Sequence, residues 1–191
     1  RQHPEVRCYR YWPELSSDCR LMTKLLRDLT DYSMSDQLTK QRSDLCNLLR
    51  RAYLSCLPLT EGTNKTLTYT SRVSCAYMPL DSPKMMEALL NLIVNALDAI
   101  SDNGSVQIIL TKSNEQFVVS IIDDGCGIAP KQLLTIFHPF TTTKPDGTGL
   151  GLPVAKRIIE GHGGHIRVIS APNQGATFTF LLPCSFSSDK K

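Results

Sequence analysis

Asn91–Ile100 reads NLIVNALDAI, and the chain continues through DDGCGI (Asp123–Ile128), FHPFTTTK (Phe137–Lys144) and GTGLGL (Gly147–Leu152). The first stretch closes an apolar run that opens at Asp81-Ser82-Pro83, a capping residue followed by a proline suited to a first helical turn, so a helix is expected from there to Ile100. Asn91 and Asn95 share one face of it among Leu, Ile, Val and Ala, and two amides on a mostly apolar helix need partners. Ser105–Thr111 and Gln116–Ile122 alternate or run apolar about a polar turn, the pattern of an antiparallel strand pair. Asp123 ends the second strand where Gly125 and Gly127 let the backbone turn tightly and approach another group. A short helix is expected over about Pro130–Phe137, another over Leu150–Glu160, and a closing hairpin from His165–Ser170 to Thr177–Leu182 across Asn173-Gln174-Gly175. Helices and strands are segregated, which predicts an α+β fold, a two-layer α/β sandwich with a mixed, mostly antiparallel sheet.

Towards the N-terminus, Leu15, Cys19, Met22, Leu25, Leu26 and Leu29 form an apolar helical stripe between Glu14 and Tyr32 that needs a partner helix. Polar residues from Ser33 to Arg42 read as a linker, and Ser43 is expected to cap a helix running to about Ser55. Lys65–Val73, rich in Thr and Tyr, reads as a strand followed by a loop. The division is therefore placed near residue 42, with a helical arm and linker over 1–42 and the main domain over 43–191.

Of the 191 residues, 41% are hydrophobic and 20% charged, with a net charge of +3, so no nucleic-acid footprint is expected. Apolar runs such as Ala88–Ile100 are broken by Asn91, Asn95 and Asp98 and are too short to span a bilayer, and no signal peptide opens the chain. Seven scattered cysteines without a C-x-x-C pair argue against a disulfide framework or a zinc site and for a reducing cytoplasm. Asn103-Gly104 reads as a turn.

The four boxes, in this order, resemble the ATP-binding catalytic domain of a sensor histidine kinase, over roughly Leu45 to Pro183. The glycine string is neither a Walker loop nor a dinucleotide fingerprint, because G-x-x-x-x-G-K-[ST] is absent and no strand directly precedes it. The resemblance implies ATP and Mg²⁺ as ligands. A neutral amide oxygen suits Mg²⁺, which takes few protein ligands, and assigns Asn95 as the metal ligand with Asn91 and Asp98 beside it; both asparagines would otherwise hydrogen-bond backbone at a helix–sheet contact. Asp123, first acidic residue of D-x-G-x-G, would accept from the adenine amine, with Gly125, Gly127 and Ile128 around it; the other reading is a simple Asp-Gly turn. Cys126 reads as a small buried filler. Phe137 would found the lid, and Thr143 and Lys144, with the neighbouring hydroxyls of Thr141 and Thr142, could reach phosphates when it closes, unless Lys144 is merely a solvated loop lysine. Gly147, Thr148, Gly149, Leu150 and Gly151 lead into a helix whose free N–H groups and dipole suit an anion. Gly175 and Thr177 resemble the family's last box, a turn glycine and strand residue being the alternative.

Relatives sharing this ATP fold include DNA gyrases, heat-shock chaperones and mismatch-repair ATPases, and the hydrolysing ones carry a glutamate where Asn91 stands. The resemblance therefore implies a protein-histidine kinase, with Asn91, Asn95 and Lys144 as its catalytic candidates, donating the γ-phosphate to an imidazole. The arm resembles the second helix of a dimerisation hairpin whose first helix bears the acceptor in H-[ED]-x-x-N-P. That motif is absent here, and His3, His138, His162 and His165 lack the acceptor context. The expected partners are the missing acceptor helix, a response regulator and, in the full-length protein, a second copy, with no nucleic acid and no membrane contact by these residues. Two other readings are an anti-sigma-factor-type serine kinase, which would not need the amphipathic arm, and a non-catalytic nucleotide-sensing scaffold.

Overall fold

The computed structural model describes residues 12, 15, 16, 18, 19, 22, 23, 38–144 and 147–184. The stripe positions Leu25, Leu26 and Leu29 lie outside them, whereas Trp12, Leu15, Ser16, Asp18, Cys19, Met22 and Thr23 are helical. The domain then runs β1 (Gln41–Asp44), α1 (Leu45–Cys56), a 3-10 turn (Leu57–Thr60), β2 (Thr66–Ser71), β3 (Tyr77–Leu80), α2 (Ser82–Ala99), β4 (Ser105–Ser113) and β5 (Gln116–Asp123). After these come α3 (Pro130–Leu133), α4 (Gly151–Gly161), β6 (His165–Ser170) and β7 (Ala176–Pro183).

Period-two burial builds the sheet layer. Val106, Ile108 and Leu110 of β4, Phe117, Val119 and Ile121 of β5, and Ala176, Phe178, Phe180 and Leu182 of β7 all turn to one face and are buried there. The order is β2-β4-β5-β7-β6, with β2 parallel to β4 and every other pairing antiparallel. Onto that face α2 lays Met85, Ala88, Leu89, Leu92, Ile93, Ala96 and Leu97, and it packs against α1 and α4 as well. Each large side chain buried here contributes about 1.5–3 kcal/mol, so this helix–sheet interface outweighs any single polar contact below. The two-layer sandwich and its mixed, mostly antiparallel sheet are those expected.

Carboxylates fasten the junctions. Asp44 Oδ1 accepts from Cys46 N at 3.0 Å, capping α1, and from Ala76 N at 2.9 Å. Ser43 is therefore not the cap: pairing of β1 with β3, from Gln41↔Leu80 to Asp44↔Tyr77, keeps the chain extended through Ser43 and moves the helix start beyond it. The stretch before Asp81, read as loop, holds that partner strand. Asp81 caps α2 through Lys84 N at 3.1 Å and accepts Thr39 N at 2.9 Å. The expected helix over Pro130–Phe137 is helical only to Leu133 and continues as turns. Among the described residues no helix is long and apolar enough to cross a membrane, and Cys19, Cys46, Cys56, Cys75, Cys126 and Cys184 are free thiols.

His162, only 5% exposed, closes the end of α4. Its Nε2 accepts the Asp81 backbone N–H at 2.9 Å, which leaves Nδ1 protonated to donate to Ile158 O at 2.7 Å. Burial is the main cause that pushes its pKa below the usual histidine value, outweighing the opposing bond to Ile158. A depressed folded pKa makes this contribution complete above the unfolded pKa of about 6.5 and lost as pH falls through the folded value. His162→Ala, which orphans the Asp81 N–H, is expected to cost about 1–3 kcal/mol in urea unfolding at pH 8. The gap between variant and parent should shrink as the pH is lowered below the unfolded value; a pH-independent gap would contradict the assignment.

Candidate functional site

One face of α2 is not in the core. Glu87, Asn91, Val94, Asn95 and Asp98 recur at helical spacing along it and form one wall of an open cleft of about 1440 Å³. Gly127 and Ile128 after β5, Thr141–Lys144 of the lid segment, and Gly147–Leu152 at the start of α4 supply the others. The cleft is larger than the roughly 300–1,000 Å³ of ordinary small-ligand pockets because Trp12, Leu15, Ser16, Cys19 and Thr23 of the arm form an outer rim.

Asp123 ends β5 on the helix-facing side of the sheet and is 5% exposed. Its Oδ1 accepts both Gly125 N at 3.0 Å and Ala176 N at 3.1 Å, leaving Oδ2 outside this clamp. Burial pushes its pKa up from the ordinary aspartate value, with the two backbone donors pulling the other way. Asp124 is used differently. It accepts from Ser105 N and Ser105 Oγ, both at 2.8 Å, and these bonds lower its pKa. The loop between β5 and α3 is held by Cys126 N to Ala99 O at 3.1 Å and Asn173 N to Cys126 O at 2.7 Å. Gly127, at φ +69°, lies so close to Ala171 that an added Cβ would run into its carbonyl. Ile128 N donates to Ser170 Oγ at 2.9 Å.

The lid segment is closed at its stem by Phe140 N to Gly149 O at 3.0 Å, with Phe140 at φ +65° and Gly149 at +67°. A Cβ on Gly149 would lie 2.5 Å from Phe140 C, which is why glycine is needed there. Lys144 N donates to Thr142 Oγ1 at 3.0 Å, and Gly147 N to Lys144 O at 3.1 Å. Lys144 Nζ crosses the cleft to Asp98 Oδ2 at 2.8 Å and Asn95 Oδ1 at 3.1 Å. It is thus paired, though still half exposed.

At the far wall α4 begins without a side-chain cap, and because Pro153 has no N–H, the N–H groups of Gly151 and Leu152 are the ones in its first turn that lack an intrahelical acceptor and suit an anion. Thr148 Oγ1 accepts Leu150 N at 3.4 Å, Leu150 itself is buried, and Gly151 lies against Asn91, whose Oδ1 is 3.5 Å from where a Cβ would stand. No group of three or more His, Cys, Asp or Glu able to hold a metal occurs among the described residues. The available donor is an amide oxygen, which fits Mg²⁺ sharing its sphere with ligand oxygens and water.

The structure brings together Asn91, Asn95, Asp98, Gly127, Ile128, Thr143, Lys144, Gly147, Thr148, Gly149, Leu150 and Gly151 on the cleft wall, with Asp123 and Gly125 just beneath. It does not bring Phe137 or Thr177. Phe137 packs edge-on against Phe178 at 6.5 Å with Lys156 Nζ 5.4 Å from its ring, anchoring the lid in the core while Ile136 lines the cleft. Thr177 pairs with Ile122 on the opposite sheet face, because strand parity gives the Asp123 position to Ala176. Cys126 is exposed and lines the cleft, contrary to the buried filler expected. Glu87 and Val94 were missed although their spacing from Asn91 puts them on its face.

The family described as histidine kinase-, DNA gyrase B-, and HSP90-like ATPase matches residues 80–185. The signal transduction histidine-protein kinase AtoS of Escherichia coli (strain K12) is 36% identical over 165 residues, 85% of this chain and 27% of AtoS. The catalytic domain of histidine kinase ThkA superposes with a TM-score of 0.71 at 29% identity, covering 78% of this chain and 97% of that domain. Histidine kinase ThkA in complex with response regulator protein TrrA shares the fold at a TM-score of 0.77 and 24% identity, over 96% of this chain and 53% of that one. The chain spans about a quarter to two fifths of the length of the first curated relatives it matches.

Two glycines of the cleft separate backbone need from open space. Gly127→Ala meets both a positive φ and the Ala171 carbonyl, so urea unfolding should show a loss of about 1–3 kcal/mol or more. Gly151→Ala meets only ordinary contacts with Asn91 and is expected to stay within about 0.5 kcal/mol of the parent. Equal losses at the two positions would refute this distinction.

Proposed function

The chain belongs to the histidine kinase-, DNA gyrase B- and HSP90-like ATPase family and carries an ATP-binding catalytic domain of the histidine-kinase type, and from that premise we propose that it serves a two-component sensor kinase by binding Mg-ATP and donating the γ-phosphate to a histidine outside these residues. The observation that carries this reading is the uncapped start of α4 facing Asn91 and Asn95 in a single cleft, with the buried Asp123 beneath.

In this reading Asp123 Oδ2 accepts from the exocyclic amine of adenine while Oδ1 remains clamped by Gly125 and Ala176. The amides at the start of α4 face the phosphates, and the lid threonines and Lys144 approach them from the other side. Asn95 would hold Mg²⁺, which supplies charge neutralisation of the phosphate oxygens. The amide at Asn91 cannot act as the carboxylate base that activates water in the hydrolysing relatives, so the site's contribution is to orient the γ-phosphate for in-line attack by an imidazole nitrogen. No H-[ED]-x-x-N-P motif occurs among the chain's residues, so the acceptor is assigned to another segment of the kinase, a response regulator to the next step of the relay, and a second copy to the helical arm. The reading places the domain in the cytoplasm. The division read near residue 42 falls within β1, whose pairing with β3 supports counting all of β1 in the catalytic domain.

Calorimetry with ATP and ADP in the presence of Mg²⁺ tests the site. Saturable, adenine-selective binding is expected, weakened by at least about tenfold, or roughly 1.4 kcal/mol, in Asp123→Asn, which keeps the Oδ1 clamp and replaces the second acceptor by a donor. Incubated alone with γ-labelled ATP, the chain should acquire no acid-labile phosphate. A folded chain that binds no nucleotide would favour the scaffold reading, and acid-labile label on the chain itself would refute the external acceptor.

A further inference from the structure

Lys144 is the one lid side chain bonded to the opposite wall of the cleft among the described residues, and what it bonds is telling. Its ammonium sits 3.1 Å from the amide oxygen assigned to the metal and 2.8 Å from Asp98 Oδ2, one turn further along the same face of α2. Without a ligand, then, a cation carried on the lid holds the oxygens that a metal–nucleotide complex would face. Both side chains are about half exposed, 42% for Lys144 and 51% for Asp98, so the pair is weak and breakable.

We propose that Lys144 and Asp98 form a latch that makes the site select a nucleoside triphosphate over the diphosphate. The inference rests on the function proposed above and deepens it. A diphosphate brings its metal to Asn95 but offers Lys144 no γ-phosphoryl group, so the ammonium stays on Asp98 and the lid keeps that half of its ligand-free tie. A triphosphate adds γ-phosphoryl oxygens that carry more negative charge than one carboxylate, and they draw Lys144 off its half-exposed pair with Asp98. Asp98 touches no phosphate in this scheme. It sets the selectivity by competing for the lysine, as a specificity residue acting through another side chain. The carboxylate at position 98 thus has a use that its sequence context, three residues beyond Asn95 on a helix, does not disclose by itself.

The test is a double-mutant cycle read by calorimetry in Mg²⁺ with ATP and with ADP, on the whole chain as parent, Asp98→Asn, Lys144→Ala and the double variant. Asp98→Asn should tighten ATP by about two- to fivefold, the span of an exposed ion pair, and leave ADP nearly unchanged. Lys144→Ala should bring ATP affinity down towards that for ADP, and in that background Asp98→Asn should do nothing further. Hydrogen exchange of residues 141–149 without nucleotide should accelerate in both single variants, a readout independent of any bound ligand. If Asp98→Asn tightens ATP and ADP alike, or still acts once Lys144 is gone, it merely removes a repelling charge and the latch is overturned. Binding of neither nucleotide by the folded parent would instead sink the function proposed above, and the inference with it.

Discussion

Everything in this domain depends on α2 serving two environments at once. Seven of its residues are buried against the sheet and neighbouring helices, while Glu87, Asn91, Val94, Asn95 and Asp98 stand in the cleft. A helix advances by about 100° per residue, so these two sectors follow from one backbone without a kink or bulge. Burial of the apolar sector fixes the rotation of the helix about its axis. That rotation in turn fixes where two amides and a carboxylate point, so that site geometry is held by core packing rather than by polar contacts within the site. The N-terminal clamp at Asp81 and Lys65 Nζ on Leu97 O at 2.9 Å near the other end fix its position along the axis.

The remaining walls are backbone held by carboxylates. Asp44, Asp81, Asp123 and Asp124 each take main-chain N–H groups at a junction between elements. Such bonds satisfy donors that turns leave without ladder partners, and an ionised acceptor strengthens them. Asp123, the last residue of β5, is the buried one of the pair, and only its Oδ1 takes the backbone clamp. Its neighbour Asp124 uses both oxygens on Ser105. Adjacent residues of one type thus take different partners, Asp123 the turn amides of Gly125 and Ala176 and Asp124 the start of β4.

Local periodicity explains what could and could not be read from the sequence. Amphipathic periods disclosed α2, α4 and the strand pairs, and with them the cleft wall that carries Asn91 and Asn95, since local spacing determines which side chains share a face. Pairing of β1 with β3 joins residues far apart in sequence through only four residue pairs, and no local pattern announces it. Ser43 and Asp44 are both good caps in isolation, and the choice between them is made by where that long-range pairing ends. Thr177 and Ala176 differ by one strand position, yet that step moves a side chain through the sheet. Phe137 and Ile136 differ by one position in a turn, yet Ile136 is buried and lines the cleft while the half-buried Phe137 ring packs edge-on against Phe178. Cys126 looks like filler because small residues between glycines are ambiguous until the loop's contacts with Ala99 and Asn173 are known.

The cleft's chemistry follows from having so few fixed charges on its rigid parts. Its rigid polar groups are the N–H groups at the start of α4 and the neutral amides of Asn91 and Asn95 on α2. A preorganised array of this sort stabilises an anion without the desolvation cost of buried ionic groups. Of its formal charges, Glu87 is paired with Lys84, and Lys144 and Asp98 stand at the half-exposed mouth, where interactions are weak and exchangeable. Because Lys144 rides on a segment joined at its stem by Phe140 N to Gly149 O, its partner can change while the stem stays closed. A rigid amide and an exchangeable ion pair therefore meet at Lys144 Nζ, between Asn95 Oδ1 and Asp98 Oδ2, on a face of α2 set by which residues that helix and the sheet can bury.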